Sequence, residues 1–254
     1  MTSTRWVVLP DIQAPFHDKR AVQAIIDFIR RVRPDGLLCV GDEIDLPSVS
    51  RWNNGTAGEY THSLKNDVRV TNEIVTAFRQ ALGKKKPFHM SRSNHGDRLH
   101  SYVTKYAPAL REYVADDEML DIPKLCGYTE LGIEYHRKPF EFTPGWVLCH
   151  GDEGSLSPIA GRTATNLAVN KFGKSVVCGH THRLGQSSHT TALDGRVTSL
   201  LTGLEVGNVM DLKQAHYMKA HSANWQHGCG FVEADGKRTA ALPLPIINGK
   251  VVMP

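Results

Sequence analysis

Five short apolar runs in this sequence lead to side chains that bind cations. Trp6-Val7-Val8-Leu9 leads to Asp11, Leu37-Leu38-Cys39-Val40 to Asp42, and Pro87-Phe88-His89-Met90 to Asn94. Trp146-Val147-Leu148-Cys149 leads to His150, and Ser175-Val176-Val177-Cys178 to His180 and His182. A carboxylate, amide or imidazole by itself is more often a cap or a turn residue. Five of them closing five similar runs make a register that scattered loop residues do not show. His180 and His182 alternate along an extended segment, so they point the same way. Mixed oxygen and imidazole donors suit Mn, Fe or Zn better than Ca. In open α/β sheets, ligands sit beyond the carboxyl ends of the strands. If the five runs share a sheet, their terminal side chains gather in one pocket.

The elements that must position these residues are legible as an alternation. An amphipathic stretch with Val22, Ile25, Ile26, Ile29 and Val32 at helical spacing ends at Pro34-Asp35-Gly36. A second helix is predicted from about Ser63 to Leu82. A third lies around Leu99, Tyr102, Val103 and Tyr106 before Pro108, and a more polar one spans Ile159 to Val169. Continuous apolar runs between helices fit strands covered on both faces. From about Gln186 the helical period disappears. Short β-like runs follow at Val197 to Leu201, Gly230 to Ala234, Ala240 to Leu244 and Ile246 to Val252, separated by glycine turns. Residues 48 to 62 read as an irregular loop near the site. No repeat or low-complexity linker interrupts the chain, so residues 1–254 are expected to form one α/β domain with a β-rich C-terminal part.

Asp11-Ile12-Gln13, Gly41-Asp42-Glu43-Ile44-Asp45, Asn94-His95, His150-Gly151 and Gly179-His180-Thr181-His182 together resemble the five blocks of the calcineurin-like metallophosphoesterases. Each block is common singly; five in order, each closing a strand-like run, are specific. The opening Asp-Ile-Gln-Ala-Pro is similar to that of small phage-encoded and bacterial members. The resemblance implies a sandwich of two mixed β-sheets flanked by helices, and two divalent metal ions, Mn first, with Fe, Zn or Mg as alternatives. It implies a first metal on Asp11, Gln13, Asp42 and His182. A second metal is implied on Asp42, Asn94, His150 and His180, with Asp42 bridging. His95 is then the general acid, its ring oriented by Asp45 or Asp97.

The implied chemistry is coherent. Two divalent ions against Asp11 and Asp42 leave a positive surplus that suits a phosphate anion and its transition state. A metal-bridging hydroxide attacks phosphorus, because coordination lowers the pKa of water from about 15.7 toward about 7. A histidine near its ordinary pKa of about 6.5 protonates the departing alkoxide. Gln13 stands where the family pattern has His, so the first metal is expected to bind more weakly. Gly96 stands where an acidic residue usually follows Asn-His. Arg92 and Arg98 flank Asn94-His95 and are candidate phosphate contacts through their forked donors, against ordinary ion pairing. Asp152 and Glu153 read as loop or cap residues, and Asn224-Trp225-Gln226 as turn and core. The remaining histidines, among them His17, His89, His136, His216 and His221, carry no such pattern.

Composition sets the outer limits. The 254 residues carry 30 basic and 26 acidic side chains, a net charge of +4 that is too small to diagnose a nucleic-acid binder. Arg30-Arg31-Arg33 and Lys84-Lys85-Lys86 read as solvated helix ends. Five widely spaced cysteines without a CxxC pair exclude a disulfide framework or zinc ribbon, and Cys39, Cys149 and Cys178 read as packing residues. No uncharged run approaches the ~18 apolar residues of a bilayer span, and Trp6 to Leu9 is too short for a signal-peptide core. A cytoplasmic chain without membrane attachment is expected, its oligomeric state open. The expected activity is metal-dependent hydrolysis of phosphodiesters, small or nucleotide-type and including cyclic nucleotides. A phosphomonoesterase or protein phosphatase, a DNA nuclease and a catalytically inactive scaffold on the same fold are the alternatives; a nucleic-acid partner is not favoured.

Overall fold

The computed structural model describes residues 3–214 and 224–254. Its strands and helices follow in the order β1 (Thr4–Leu9), α1 (Lys19–Val32), β2 (Gly36–Cys39), α2 (Ala57–Thr61), α3 (Leu64–Leu82), β3 (Phe88–Ser91), α4 (Arg98–Tyr106), α5 (Ile122–Leu125) and β4 (Glu134–His136). There follow β5 (Phe140–Thr143), β6 (Trp146–Leu148), α6 (Arg162–Leu167), β7 (Ser175–Cys178), β8 (Leu184–Leu193), β9 (Arg196–Val206), β10 (Gly228–Ala234), β11 (Thr239–Ile247) and β12 (Lys250–Val251). One sheet has the order β12-β11-β10-β1-β2-β3-β4, the other β5-β6-β7-β9-β8. Both are mixed: β1 to β4 run parallel, as do β6, β7 and β9, while the outer pairings are antiparallel. This is the architecture of two mixed sheets flanked by helices that the resemblance implied.

The alternation of side chains explains the layers. Along β1, Val7 and Leu9 face one way and join α1 and α3 in the larger core; Trp6 and Val8 face the other way. The second set meets Leu38, Val40, Trp146, Leu148, Val177, Leu204 and Val206 between the two sheets. Helix α6 covers the outer face of the second sheet through Ala164 and Leu167 against Val147, Val176 and Cys178. Helix α1 starts where the Asp18 carboxylate accepts from the Arg20 and Ala21 amides, and it stops at Arg33 in the left-handed region. It buries Val22, Ile25, Ile26 and Ile29, the stripe its spacing predicts. All five cysteines are buried and unbridged.

Three expectations change. The polar helix is shifted from residues 159 to 169: it begins after Gly161, where the Glu205 carboxylate accepts from the Thr163 and Ala164 amides, and it continues past Leu167 as a π-helical stretch, Ala168–Phe172. It lies so close to β9 that a Cβ on Gly203 would stand 2.2 Å from the Thr165 nitrogen. Residues 48 to 62 are not wholly irregular: a 3-10 turn at Pro47–Val49 and helix α2 order the segment. The short run at Val197 to Leu201 belongs to a long hairpin, β8 with β9, whose exposed polar residues hid its length. Among the described residues no helix is long and apolar enough to cross a membrane.

Candidate metal centre

Strands β1, β2 and β3 lie side by side in one sheet, and β6 and β7 in the other. Their carboxyl ends meet at one rim, and the expected ligands converge there. Donor atoms of Asp42, His150 and His180 lie within 4.8 Å of one another, as do those of Asp11, Asp42 and His182. Asp42 belongs to both groups.

The His150 ring is fixed by its Nδ1–H, which donates to the Val40 carbonyl at 2.9 Å. Its Nε2 then points inward, 2.7 Å from Asn94 Oδ1, 3.1 Å from His180 Nδ1 and 3.4 Å from Asp42 Oδ2. Asn94 Oδ1 also lies 3.1 Å from His180 Nδ1. Two ring nitrogens and an amide oxygen thus converge on one point, where a proton or a metal ion can stand between them. Without a metal, a proton takes that part: burial would lower the His150 imidazole, but Asp42 outweighs it and raises the ring to about 10. Burial alone would lift the Asp42 carboxyl, but His150 and His95 outweigh it and hold it well below the usual range.

In the second group, Asp42 has hydrogen-bond partners but Asp11 and one nitrogen of His182 do not. Asp11 is fully buried, and neither of its carboxylate oxygens has a hydrogen bond. Burial and the neighbouring Asp42 push its pKa well up. His182 Nε2 is 3.4 Å from Asp11 Oδ2, its Nδ1 has no hydrogen bond, and burial lowers the ring to about 3. A neutral imidazole beside two buried carboxylates is a set of donors suited to a divalent ion. Gln13 reaches this group, but its amide is turned away from the expected orientation. Nε2 donates to Asp42 Oδ2 at 2.9 Å and lies 3.4 Å from His182 Nε2, while Oε1 is buried without a partner. A half-turn of the amide is required for Gln13 to offer oxygen.

The backbone that carries these side chains is strained. Gln13, Asp42, His180 and His182 all have positive φ, at 58°, 52°, 65° and 59°, a region that non-glycine residues rarely adopt. Surrounding bonds enforce it. The Ile12 and Gln13 amides donate to the Asp42 carbonyl at 3.0 and 2.8 Å. Thr181, between the two histidines, donates its hydroxyl to buried Glu205 at 2.9 Å. Asn208 Nδ2 donates to the His182 carbonyl at 3.1 Å. Gly179 must be glycine, because a Cβ there would stand 2.2 Å from Asp11 Oδ1 and 2.5 Å from Val40 Cγ2.

His95 sits at the edge of the cluster, its Nε2 3.7 Å from Asp42 Oδ2 and its Nδ1 3.6 Å from Asp45 Oδ2. Arg98 donates to Asp45 at 2.8 Å and lies 3.0 Å from His95 Nε2. An arginine carries only donors, so that nitrogen is the lone-pair side of a neutral ring. Burial, with Arg98 adding to it, pushes His95 below its ordinary pKa, not near it as expected. Asp45, rather than Asp97, is the acidic group beside His95. Asp97 is instead taken by Arg92 at 2.7 Å, and the same guanidinium holds Asp152 at 3.0 Å. Arg92 is therefore committed to ion pairs away from the cluster, whereas Arg98, paired with Asp45, also lies beside His95. Glu153 caps the turn after β6 by accepting from the His150 and Gly151 amides.

No family model matches the sequence. Two curated phage proteins do. The Gene 54 protein of Mycobacterium phage D29 is 34% identical over 250 residues, covering 98% of this chain and 96% of its own length. The Gene 54 protein of Mycobacterium phage L5 is 34% identical over 251 residues with the same coverage, 98% and 96%. The chain belongs to the Gene 54 protein family. Among solved structures, Vps29 from Cryptosporidium parvum shares 12% identity at a TM-score of 0.49, covering 99% of this chain and 96% of its own. Vps29 complexed with zinc from Entamoeba histolytica shares 13% at 0.46, with 98% and 96% covered. The Pseudomonas putida nuclease MPE shares 15% at 0.36, with 93% and 87% covered. Likeness at that distance says nothing about the chemistry of this Gene 54 family chain.

Sequence reasoning missed several residues at the rim. Trp225, read as turn and core, lies with its ring 4.3 Å from that of His182. Glu205 and Asn208 brace the histidine segment, and no local pattern marks either. Beside Asn94 and Arg98 opens a cleft of about 450 Å³ lined also by Arg51, Trp52, Tyr102 and Tyr106. His216 and His221 lie outside the described residues.

Proposed function

We propose that this Gene 54 family protein is a metal-dependent phosphoesterase that hydrolyses nucleotide-type phosphodiesters. The observation that carries the reading is the pair of donor groups sharing Asp42, with His150 Nε2, Asn94 Oδ1 and His180 Nδ1 turned on one another. The residues fit two ions: Asp11, Asp42 and His182 for one, with Gln13 after its amide turns, and Asp42, Asn94, His150 and His180 for the other. Divalent ions there, Mn first, would supply Lewis-acid polarisation of the phosphoryl oxygen and activation of a water.

The chain's own residues do the rest. His150 is oriented by Val40, and His182 is held by Asn208, so the donors are placed before any ligand arrives. Water adds to phosphorus and the ester P–O bond breaks; the lone pair on His95 Nε2 takes the proton that the water loses and passes it to the departing alkoxide. Arg98 fixes the His95 ring and adds a positive charge beside the phosphate. The cleft beyond Arg98 suits a base and its sugar. Trp52 is 71% exposed, with Arg51 4.6 Å over its ring, and Tyr102 and Tyr106 pack 5.0 Å apart. Aromatic faces interleaved with cations favour nucleobases over simple alkyl groups.

A nuclease acting on single-stranded ends is the second reading, favoured by the outward exposure of Trp52. The test is a panel assayed with Mn: bis-p-nitrophenyl phosphate, p-nitrophenyl phosphate, cyclic nucleotides, and single- and double-stranded oligonucleotides. Nucleotide diesters are expected to turn over fastest. A strong monoester preference overturns the diesterase reading, oligonucleotide cleavage alone moves the assignment to a nuclease, and no turnover with metal bound leaves a scaffold.

A further inference from the structure

A second donor cluster lies away from that rim. Strands β3 and β4 pair in parallel with His89 opposite Glu134 and Ser91 opposite His136, which puts His89, Glu134 and His136 on one face of the sheet. His89 Nδ1 lies 3.0 Å from His136 Nε2 and 3.2 Å from Glu134 Oε2, and His136 Nε2 lies 3.5 Å from Glu134 Oε1. Donors at three corners of a tetrahedron around an ion with bonds of about 2.0–2.2 Å stand roughly 3.3–3.6 Å apart. The two ring nitrogens from each other, and each ring nitrogen from one of the two Glu134 oxygens, stand within a few tenths of an ångström of that spacing, the carboxylate meeting the rings through different oxygens.

We infer that His89, Glu134 and His136 form a separate zinc site, two imidazoles and a carboxylate with water in the fourth position. The rings are walled in place. His136 stacks on Phe140 at 3.5 Å and 13°, and His89 packs against Trp6 at 5.8 Å and Phe140 at 5.5 Å. These contacts hold the rings with His89 Nδ1 and His136 Nε2 turned toward each other. Burial keeps both imidazoles below their ordinary pKa, so their lone pairs are available at neutral pH. Glu134 is mostly exposed and supplies the negative charge and the open side. A hydrogen bond between the two rings places a single proton among four converging acceptor atoms; a divalent ion satisfies all of them. The site holds β4, a three-residue edge strand, to β3 at the point where the chain leaves one sheet for β5 in the other. Its role is that of a clip on the crossover, with no part in hydrolysis.

Zinc retained by the full-length protein after loading and dialysis, counted by elemental analysis, tests the site. The His89→Gln and Glu134→Gln chains are expected to hold one zinc fewer than wild type, and a rim variant, Asp42→Asn, is expected to keep this one. Wild-type stoichiometry in both His89→Gln and Glu134→Gln overturns the site, as does complete loss of zinc from Asp42→Asn. Glu134→Gln decides alone if His89→Gln fails to fold, because Glu134 makes no buried packing contact. Failure of the rim centre lowers the total but not this difference, so the two readings fail separately.

Discussion

Asp11→Asn separates the cost of the rim from its use. The wild-type carboxylate is fully buried, both oxygens lack hydrogen bonds, and Asp42 lies beside it. A buried polar group without a partner costs about 1–3 kcal/mol, and more when charged. In a chain of 254 residues each kcal/mol moves Tm by roughly 2–4 °C. The apo variant, in EDTA at pH 7.5, is therefore expected to melt roughly 2–12 °C above wild type. The sign of the pH dependence follows from the raised folded-state pKa. Wild type loses stability as pH rises above the ordinary carboxylate value of 3.8, so the gain on substitution shrinks as pH falls back toward it. With metal the order reverses. At a metal concentration about 100 times Kd, binding stabilises wild type by about 2.7 kcal/mol per site, and the amide variant forfeits much of that at the ion that Asp11 shares with Asp42. Differential scanning fluorimetry with and without Mn reads both effects. A lower apo Tm for the variant refutes the uncompensated buried charge, and an unchanged Mn-induced rise refutes ligation by Asp11.

Other perturbations read different parts of the rim. Gly179→Ala drives a methyl into Asp11 Oδ1 and Val40, and is expected to destabilise the protein by about 1–3 kcal/mol and to weaken Mn binding; isothermal titration and urea unfolding check both. Glu43 is buried against the Tyr128 hydroxyl, and burial raises its carboxyl from 4.5 to about 7. Its wild-type contribution is thus fully present below pH 4.5 and lost as pH rises through 7. At about 1.4 kcal/mol per pH unit, Glu43→Gln should gain roughly 3 kcal/mol on wild type between pH 4.5 and 8, read by urea unfolding of the apo protein. His95→Ala should slow a diester with an alkoxide leaving group by about 10²–10⁴ but a p-nitrophenyl ester far less; equal losses remove the acid role. Trp52→Ala should raise KM for nucleotide diesters severalfold with kcat unchanged, and a fall in kcat alone would count against a stacking platform.

The rim was legible because chemistry and strand ends coincide in the sequence. Asp11, Asp42, Asn94, His150, His180 and His182 each follow a run that is mostly apolar, and such runs become parallel strands with their carboxyl ends on one side. What supports the rim was not legible. Glu205 and Asn208 act across 24 to 42 residues of chain through hydrogen bonds that leave no periodic trace. Strands β8 and β9 carry Ser, Thr and His on exposed faces, so the hairpin showed only its apolar end. Asp97 lies as close in sequence to His95 as Asp45 is far, yet Arg92 claims it; sequence distance could not order those two carboxylates. Trp225 and His182 meet only because the chain returns past β9.

The left-handed backbone at Gln13, Asp42, His180 and His182 has an evolutionary consequence. At each of these positions glycine would relax the main chain, yet it would delete a donor. Selection for a sturdier fold and selection for the rim therefore pull against each other at the same four codons. A lineage that abandons the chemistry should drift there first, toward Gly or Asn, long before the strands behind them change.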